Sequence, residues 1–259
     1  MILSRRAALG GVELDEVHER IVIRGIDAGV PHENISAVNR MGGAGQRITM
    51  QHWETMEVSI RYAINVQKEQ LQLRREIFEA VNDWALQKGW LTINYMPGRR
   101  LWVDHVVLPS AGDLWEWTDE FTLTLRAYGL PFWQDTDPTA VSVSNVQSER
   151  LYIGVRGQAQ SVLDVAFKNT SNSTINNFSV NASGHTIVLQ NIALASGETL
   201  VIDHTEDGLL RMKAANRNVF GNRTAASADD LYVDPGRRWV DISTQQPGKA
   251  TLSCYGRYC

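Results

Sequence analysis

The chain has 259 residues, 43% hydrophobic and 21% charged, an ordinary globular composition with enough apolar material for two modest cores. Its 25 basic and 29 acidic residues leave a formal net charge of −4 with no basic run, which excludes a nucleic-acid grip built on a concentrated positive face. No apolar run is long enough to cross a bilayer, and the start MILSRRAALGG lacks a signal-peptide core, so synthesis in a cytoplasm is expected.

In chain order, Ile21–Ile26 is a β-branched run that predicts a strand, followed by a turn at Gly29 and Pro31. The segment 39–46, NRMGGAGQ, is a glycine-rich loop. It has neither GxxxxGK[ST] nor GxGxxG, so it reads as a strand connection or a projection from a sheet rather than a phosphate cradle. RITMQHW and MEVSIRYAI follow. In the second, Val58, Ile60, Tyr62 and Ile64 alternate with Glu57, Ser59, Arg61 and Ala63, which predicts one buried face. Over 68–88 the apolar positions Leu73, Ile77, Ala80, Val81 and Trp84 recur at helical spacing, and Gly89 is placed as the C-cap. Trp90–Tyr95 and Arg100–Val107 predict a hairpin around MPGR. Phe121, Leu123, Leu125 and Ala127 then alternate with polar partners until Gly129 and Pro131 break the strand.

Beyond Pro138 the helical period disappears. Short apolar runs are punctuated by NTSNST, NASG, ASGE, EDG and DPGR, which predicts an antiparallel β-sandwich of galectin or jelly-roll type. The segments flanking Ala195–Glu198 form the clearest strand pair, joined by SGE, and 214–230 reads as a polar surface loop. The expected fold is mainly β: an α+β, split-barrel-like domain with one helix over residues 1–133, a linker over 134–138, and a β-sandwich over 139–259.

Catalytic chemistry finds little support. His18, His32, His52, His105, His185 and His204 show no metal-ligand spacing, and His204 in VIDHTED reads as part of a solvated turn. Glu116, Asp119 and Glu120 lie near aromatic residues, but the last two are neighbours whose side chains diverge on a strand. Cys254 and Cys259 make a single C-x4-C pair, too few ligands for zinc; two thiols on a terminal strand or tail is the simpler reading. Sequons begin at Asn169, Asn172, Asn177, Asn181 and Asn222 and read as turn-forming composition. Of the eight tryptophans, Trp102, Trp115, Trp117 and Trp133 are expected to pack, while Trp239 is the candidate for an exposed ring that stacks on a sugar or a partner.

The order of elements resembles that of the distal tail (Dit) proteins of long-tailed bacteriophages. The matching stretches are NRMGGAG between Ile35 and Ile48, MEVSIRYAI, REIFEAVNDWALQKG followed at once by WLTINY, RRLWVDHVVL, and FTLTLRAYGLPFW. The resemblance implies a structural virion protein without enzymatic activity, cofactor or metal, made in the bacterial host cytoplasm. It implies a homohexameric ring formed by the first domain at the end of the tail tube. Such a ring contacts the tube and the tail-tip or receptor-binding proteins, does not insert in a membrane, and passes DNA through its lumen without specific binding. Met41, Gly42, Gly43 and Gly45 are the candidates for subunit contact. The alternative is a carbohydrate- or receptor-binding sandwich module on the tail.

Overall fold

The computed structural model describes residues 5–39, 46–67, 69–109, 120–206 and 208–259. The chain divides into two compact units, Met1–Trp133 with the terminal Cys259, and Gln134–Tyr258. Strands dominate both, in keeping with the expected mainly-β class.

The first unit opens with β1 (Ala7–Leu9), β2 (Val12–Glu13) and a four-residue helix α1 (Leu14–Val17). That helix was not expected, because one turn is too short for a hydrophobic period to register. It is held by a capping box, in which Glu13 N–H donates to Glu16 Oε2 at 3.2 Å. Next come β3 (Ile21–Ala28), β4 (Glu33–Asn39), β5 (Gln46–Trp53) and β6 (Met56–Ile64). Helix α2 spans Leu71–Leu86 and is followed by β7 (Gly89–Ile93), β8 (Arg99–Val103), β9 (His105–Val107) and β10 (Glu120–Ala127).

One antiparallel sheet runs β3-β6-β10-β9 and a second contains β2-β1-β7-β8. The alternation in β6 and β10 is obeyed: Val58, Ile60, Tyr62, Leu123, Leu125 and Ala127 are fully buried. Helix α2 lies over this face, with Phe78 5.1 Å and Tyr62 5.6 Å from the Phe121 ring. Trp84 Nε1 donates to Val12 O at 2.9 Å, which ties the helix to the sheet containing β2.

Two local expectations are corrected. Lys88, at φ +57°, takes the left-handed position after α2, and Gly89 instead opens β7. The arm expected over 100–107 is two strands: β8 pairs with β7, whereas β9 pairs with β10. Asp104 sits at the switch. Its N–H donates to Arg126 O at 3.1 Å, and its carboxylate accepts from Tyr128 N–H at 3.0 Å and Gly129 N–H at 2.8 Å. The side chain thereby satisfies the donors left over where the β10 ladder ends.

The short β11 (Trp133–Asp135) leads into the second unit, where Asp135 N–H donates to Gly256 O at 3.0 Å. There follow β12 (Thr139–Val155), β13 (Ser161–Val162), β14 (Asp164–Asn169), β15 (Phe178–Ala182) and β16 (His185–Leu189). Then come β17 (Thr199–His204), β18 (Leu210–Ala214), β19 (Arg217–Asn218), β20 (Tyr232–Val233), β21 (Gly236–Cys254) and β22 (Arg257–Tyr258).

The strand β21 is 19 residues long and runs through both facing layers of one continuous eight-stranded sheet. Val240–Thr244 pairs with β15, and Gly248–Ser253 pairs with β14, while β12 runs along its other side. One core collects Leu151, Ile153, Val180 and Ile187 from one layer and Phe167, Leu200, Ile202 and Leu252 from the other. That is the expected sandwich. The pair expected around Ala195–Glu198 is not a hairpin, because β16 pairs with β15 and β17 pairs with β14, so this connection crosses between layers. The segment expected as a surface loop over 214–230 instead lines the edge of β16: Thr224 N–H donates to Val188 O and Ala228 N–H to Thr186 O.

Gly248 marks the bend in β21. A Cβ there would lie 2.3 Å from the Phe167 ring and 2.5 Å from Lys168 O, a backbone atom that cannot rotate away. Gly248→Ala should therefore lower the stability of the second unit by about 2 kcal/mol, read as a lower denaturant midpoint at unchanged m-value. An unchanged midpoint would show that the bend accepts a side chain.

Candidate functional site

Glu116, Asp119 and Glu120 are the carboxylates that the sequence places near aromatic residues. Glu116 and Asp119 lie outside the described residues, and Glu120 begins β10 as an exposed carboxylate 3.7 Å from Arg61 across the strand pair. Among the described residues there is no group of three His, Cys, Asp or Glu side chains arranged to hold a metal. Cys254 is buried and Cys259 exposed, and both are free thiols. Burial, followed by the charges of Asp164 and Asp135, pushes the Cys254 thiol up to about 11.

Two sequon asparagines, Asn169 and Asn222, act in turns as expected, whereas Asn181 lies within the strand β15. Asn169 is fully buried, donates to Ser173 O at 2.8 Å and Leu194 O at 3.0 Å, and accepts from Ser171 N–H at 3.0 Å. Asn222 donates to Gln190 O and Asn191 O.

Each unit carries a group of exposed apolar or aromatic side chains. In the first unit β4 and β5 form an antiparallel hairpin arm that pairs with no other strand among the described residues. Ile35 and Val38 on the arm are 48% and 51% exposed, and Val30 at its base is 58% exposed. Trp53 anchors the base by packing edge-on against Phe132 at 5.0 Å. Met41, Gly42, Gly43 and Gly45, the expected contact residues, fall between these strands in sequence and lie outside the described residues. In the second unit Trp239 and Tyr152 are exposed on the outer face of β21 and β12, at 52% and 44%.

His204, expected in a solvated turn, is instead the last residue of β17 with a side chain only 3% exposed. It continues the inward register of Leu200 and Ile202, both fully buried. Its Nδ1 lies 2.8 Å from Asp164 Oδ1 on β14, and its Nε2 lies 2.6 Å from Asp230 Oδ1 ahead of β20. With both nitrogens facing carboxylates, the doubly protonated imidazolium is the form that satisfies the site. Burial opposes that charge, but the hydrogen bonds and charges of Asp164 and Asp230 outweigh it and hold the imidazole above its ordinary pKa. Burial likewise opposes the Asp230 charge. Hydrogen bonds from His204 and Tyr232, the imidazolium charge and Leu231 N–H outweigh it, so Asp230 is held low. Arg257 is 4% exposed and donates to Gln160 O at 3.2 Å; its own pKa is lowered by burial against the charges of Tyr232, Asp230 and Asp164. The period-two register of Leu200, Ile202 and His204 was the available signal for this cluster; the polar surroundings, Asp203, Thr205 and Glu206, masked it.

The cluster makes stability depend on pH in a stated direction. A histidine raised on folding stabilises fully below its unfolded value of ~6.5, and that contribution is lost as pH climbs through the folded value. Asp230, lowered on folding, contributes above the ordinary carboxylate value of ~3.9 and loses its contribution as pH falls through its folded value. The second unit should thus be most stable in mildly acidic solution. His204→Phe strands two carboxylates against an apolar ring and should cost about 3 kcal/mol, with the alkaline decline removed. Denaturant titrations at stepped pH check this; an unchanged alkaline limb in the variant would show that His204 does not carry the pH dependence.

No protein-family model matches the chain, and no curated protein matches it by sequence. Solved structures do match. The Dit (gp 19.1) protein of phage SPP1, described as a paradigm of hub adsorption apparatus in Gram-positive infecting phages, aligns over 98% of this chain and 99% of its own with TM-score 0.67 at 12% identity. A chain of the phage P2 baseplate in its activated conformation with Ca aligns over 97% of this chain and 98% of its own, with TM-score 0.46 at 9% identity, too distant to carry weight. The chain therefore shares the fold of the SPP1 Dit protein over nearly its whole length.

Proposed function

We propose that this chain is a structural subunit of the distal end of a phage tail, a hub of the Dit type located in the virion. The fold shared with SPP1 Dit supports the reading. The observation that carries the assembly part is the β4–β5 arm. A two-stranded hairpin is marginal alone in water, and this one exposes Ile35 and Val38 with no third strand among the described residues. A neighbouring subunit would supply the missing cover. In this reading residues 1–133 form a homohexameric ring, 134–138 lead outward, and 139–259 face the tail-tip or receptor-binding proteins. The ring joins the tube and leaves a lumen for DNA. A conduit calls for a neutral or acidic wall so that DNA does not stick, and the formal net charge of −4 is compatible with one. The role is architectural and requires no cofactor or membrane insertion. The exposed Trp239 and Tyr152 favour a second, compatible reading, in which the sandwich itself recognises a surface ligand.

Native mass spectrometry and negative-stain imaging of the full chain, with its tail-tube partner present, should show a ring of six. A strict monomer under those conditions would overturn the reading. Ile35→Asp with Val38→Asp should abolish the ring while leaving the monomer's unfolding free energy within about 0.5 kcal/mol, as befits exposed positions.

A further inference from the structure

The outer face of the sheet formed by β12, β21 and β15 carries a group of side chains that the core does not use. Tyr152 and Trp239 are direct cross-strand partners, their ring centroids 5.4 Å apart and their planes tilted by 54°. A guanidinium flanks each ring: Arg237 lies 4.6 Å from the Tyr152 centroid and Arg150 5.0 Å from the Trp239 centroid. Arg150 is held by a two-point contact to Asp241, Nε to Oδ1 at 2.6 Å and Nη2 to Oδ2 at 3.2 Å. Arg237 has no carboxylate partner among the described residues. Its charge is therefore available, and the group as a whole is net positive on a chain of formal net charge −4.

Three classes of ligand contain something that such a face attracts. Protein interfaces also enrich tyrosine, tryptophan and arginine, yet their buried centres are apolar patches with charged residues depleted. Here the remaining outward positions on β12 beside the rings, on β21 and on β15 are serines, Asn181 and a glycine, with no aliphatic side chain. Single-stranded nucleic acid stacks on aromatic rings but needs a run of cations along its backbone. Arg150 is already neutralised by Asp241, which leaves Arg237 alone. A sugar ring asks for less: an aromatic surface for its C–H face, fixed donors and acceptors for its hydroxyls, and one cation if it is acidic.

We propose that this face binds an anionic polysaccharide, with Trp239 and Tyr152 under the sugar ring, Arg237 on its carboxylate or phosphate, and the Arg150–Asp241 pair and Asn181 set for its hydroxyls. The Asn181 amide is oriented by its hydrogen bond to Thr186 Oγ1 at 2.5 Å. The open sheet face suits a polymer lying across it better than a small molecule, which needs a concave site. The site is independent of ring assembly, since it draws only on residues of the second unit.

Affinity electrophoresis of the full chain tests it, with alginate, a phosphomannan, dextran or an oligo(dT) strand in the gel. Alginate or phosphomannan should retard the protein and dextran should not; which of the two acts separates carboxylate from phosphate. Trp239→Ala should weaken binding roughly tenfold, about 1.4 kcal/mol, and Trp239→Phe should restore part of it. Arg237→Ala should weaken binding and flatten its salt dependence. Both positions are exposed, so an unchanged thermal transition verifies the fold. No retardation, equal retardation by dextran, retardation unaffected by Trp239→Ala, or stronger retention by oligo(dT) would each overturn the proposal. Ring formation by Trp239→Ala should match the parent chain, so a failure here is distinguishable from a failure of the hub reading.

Discussion

The second unit depends on one strand belonging to both layers of its sandwich. β21 hydrogen-bonds to β15 through Val240–Thr244 and to β14 through Gly248–Ser253, with β12 following it on the other side. A strand that changes layers must bend between them, and the bend must be free of bulk on its inner side. Gly248 provides that where Phe167 and Lys168 O come closest. β12 accommodates the same bend with register shifts around Val146 and a left-handed Asn145 at φ +62°. Once the bend is set, Phe167 on one layer meets Phe178 on the other at 5.4 Å, and the two inner faces close on a single core. The strand connections then have to cross between layers, as 190–198 does between β16 and β17.

Within that frame the buried Asp–His–Asp cluster is an ordering device. Burying an ionic group costs solvation, and an apolar replacement of equal volume is often as stable, so its presence is weak evidence for added stability as such. Its geometry, however, admits few alternatives. Asp164 belongs to β14, His204 to β17, and Asp230 to the end of the long segment that also lines the β16 edge. Each must arrive in register for the imidazolium to find both carboxylates. That long segment carries little apolar surface of its own, with Val219 and Leu231 its buried anchors, so a directional polar contact fixes where it ends. Leu231 N–H donating to Asp230 Oδ1 at 2.7 Å completes the attachment.

What could be read from the sequence divides along the range of the interactions involved. Period-two alternation in Val58–Ile64 and Phe121–Ala127 and the helical stripe of 71–86 are local patterns, and the structure obeys them. Pairing partners are not local. Nothing near Asp104 indicates that its carboxylate collects the N–H groups of Tyr128 and Gly129, and so the 100–107 run reads as one strand when it is two. The same limit hides the long β21, because Pro247 and Gly248 interrupt its local pattern. His204 was a different failure: the alternation with Leu200 and Ile202 pointed inward, but its polar neighbours suggested solvent, and its two partners lie 40 and 26 residues away. Asn169 and Asn222 follow the composition argument directly, since turn-forming asparagines are what their hydrogen bonds make them.

The two exposed features differ in chemistry, and that difference bears on what each meets. The β4–β5 arm displays aliphatic side chains on a hairpin lacking a third strand, a surface that gains by losing water and is indifferent to charge. Such a surface suits a permanent neighbour present in fixed number, because leaving it bare invites non-specific association. The Trp239 face displays aromatic rings already braced by guanidinium groups, with an ion pair holding one of them in place. Those side chains lose little freedom on binding, and water covers their polar edges tolerably when nothing is bound. A face of that kind suits a ligand that comes and goes. On the proposed hub reading, the aliphatic arm serves permanent assembly and the aromatic face serves reversible recognition.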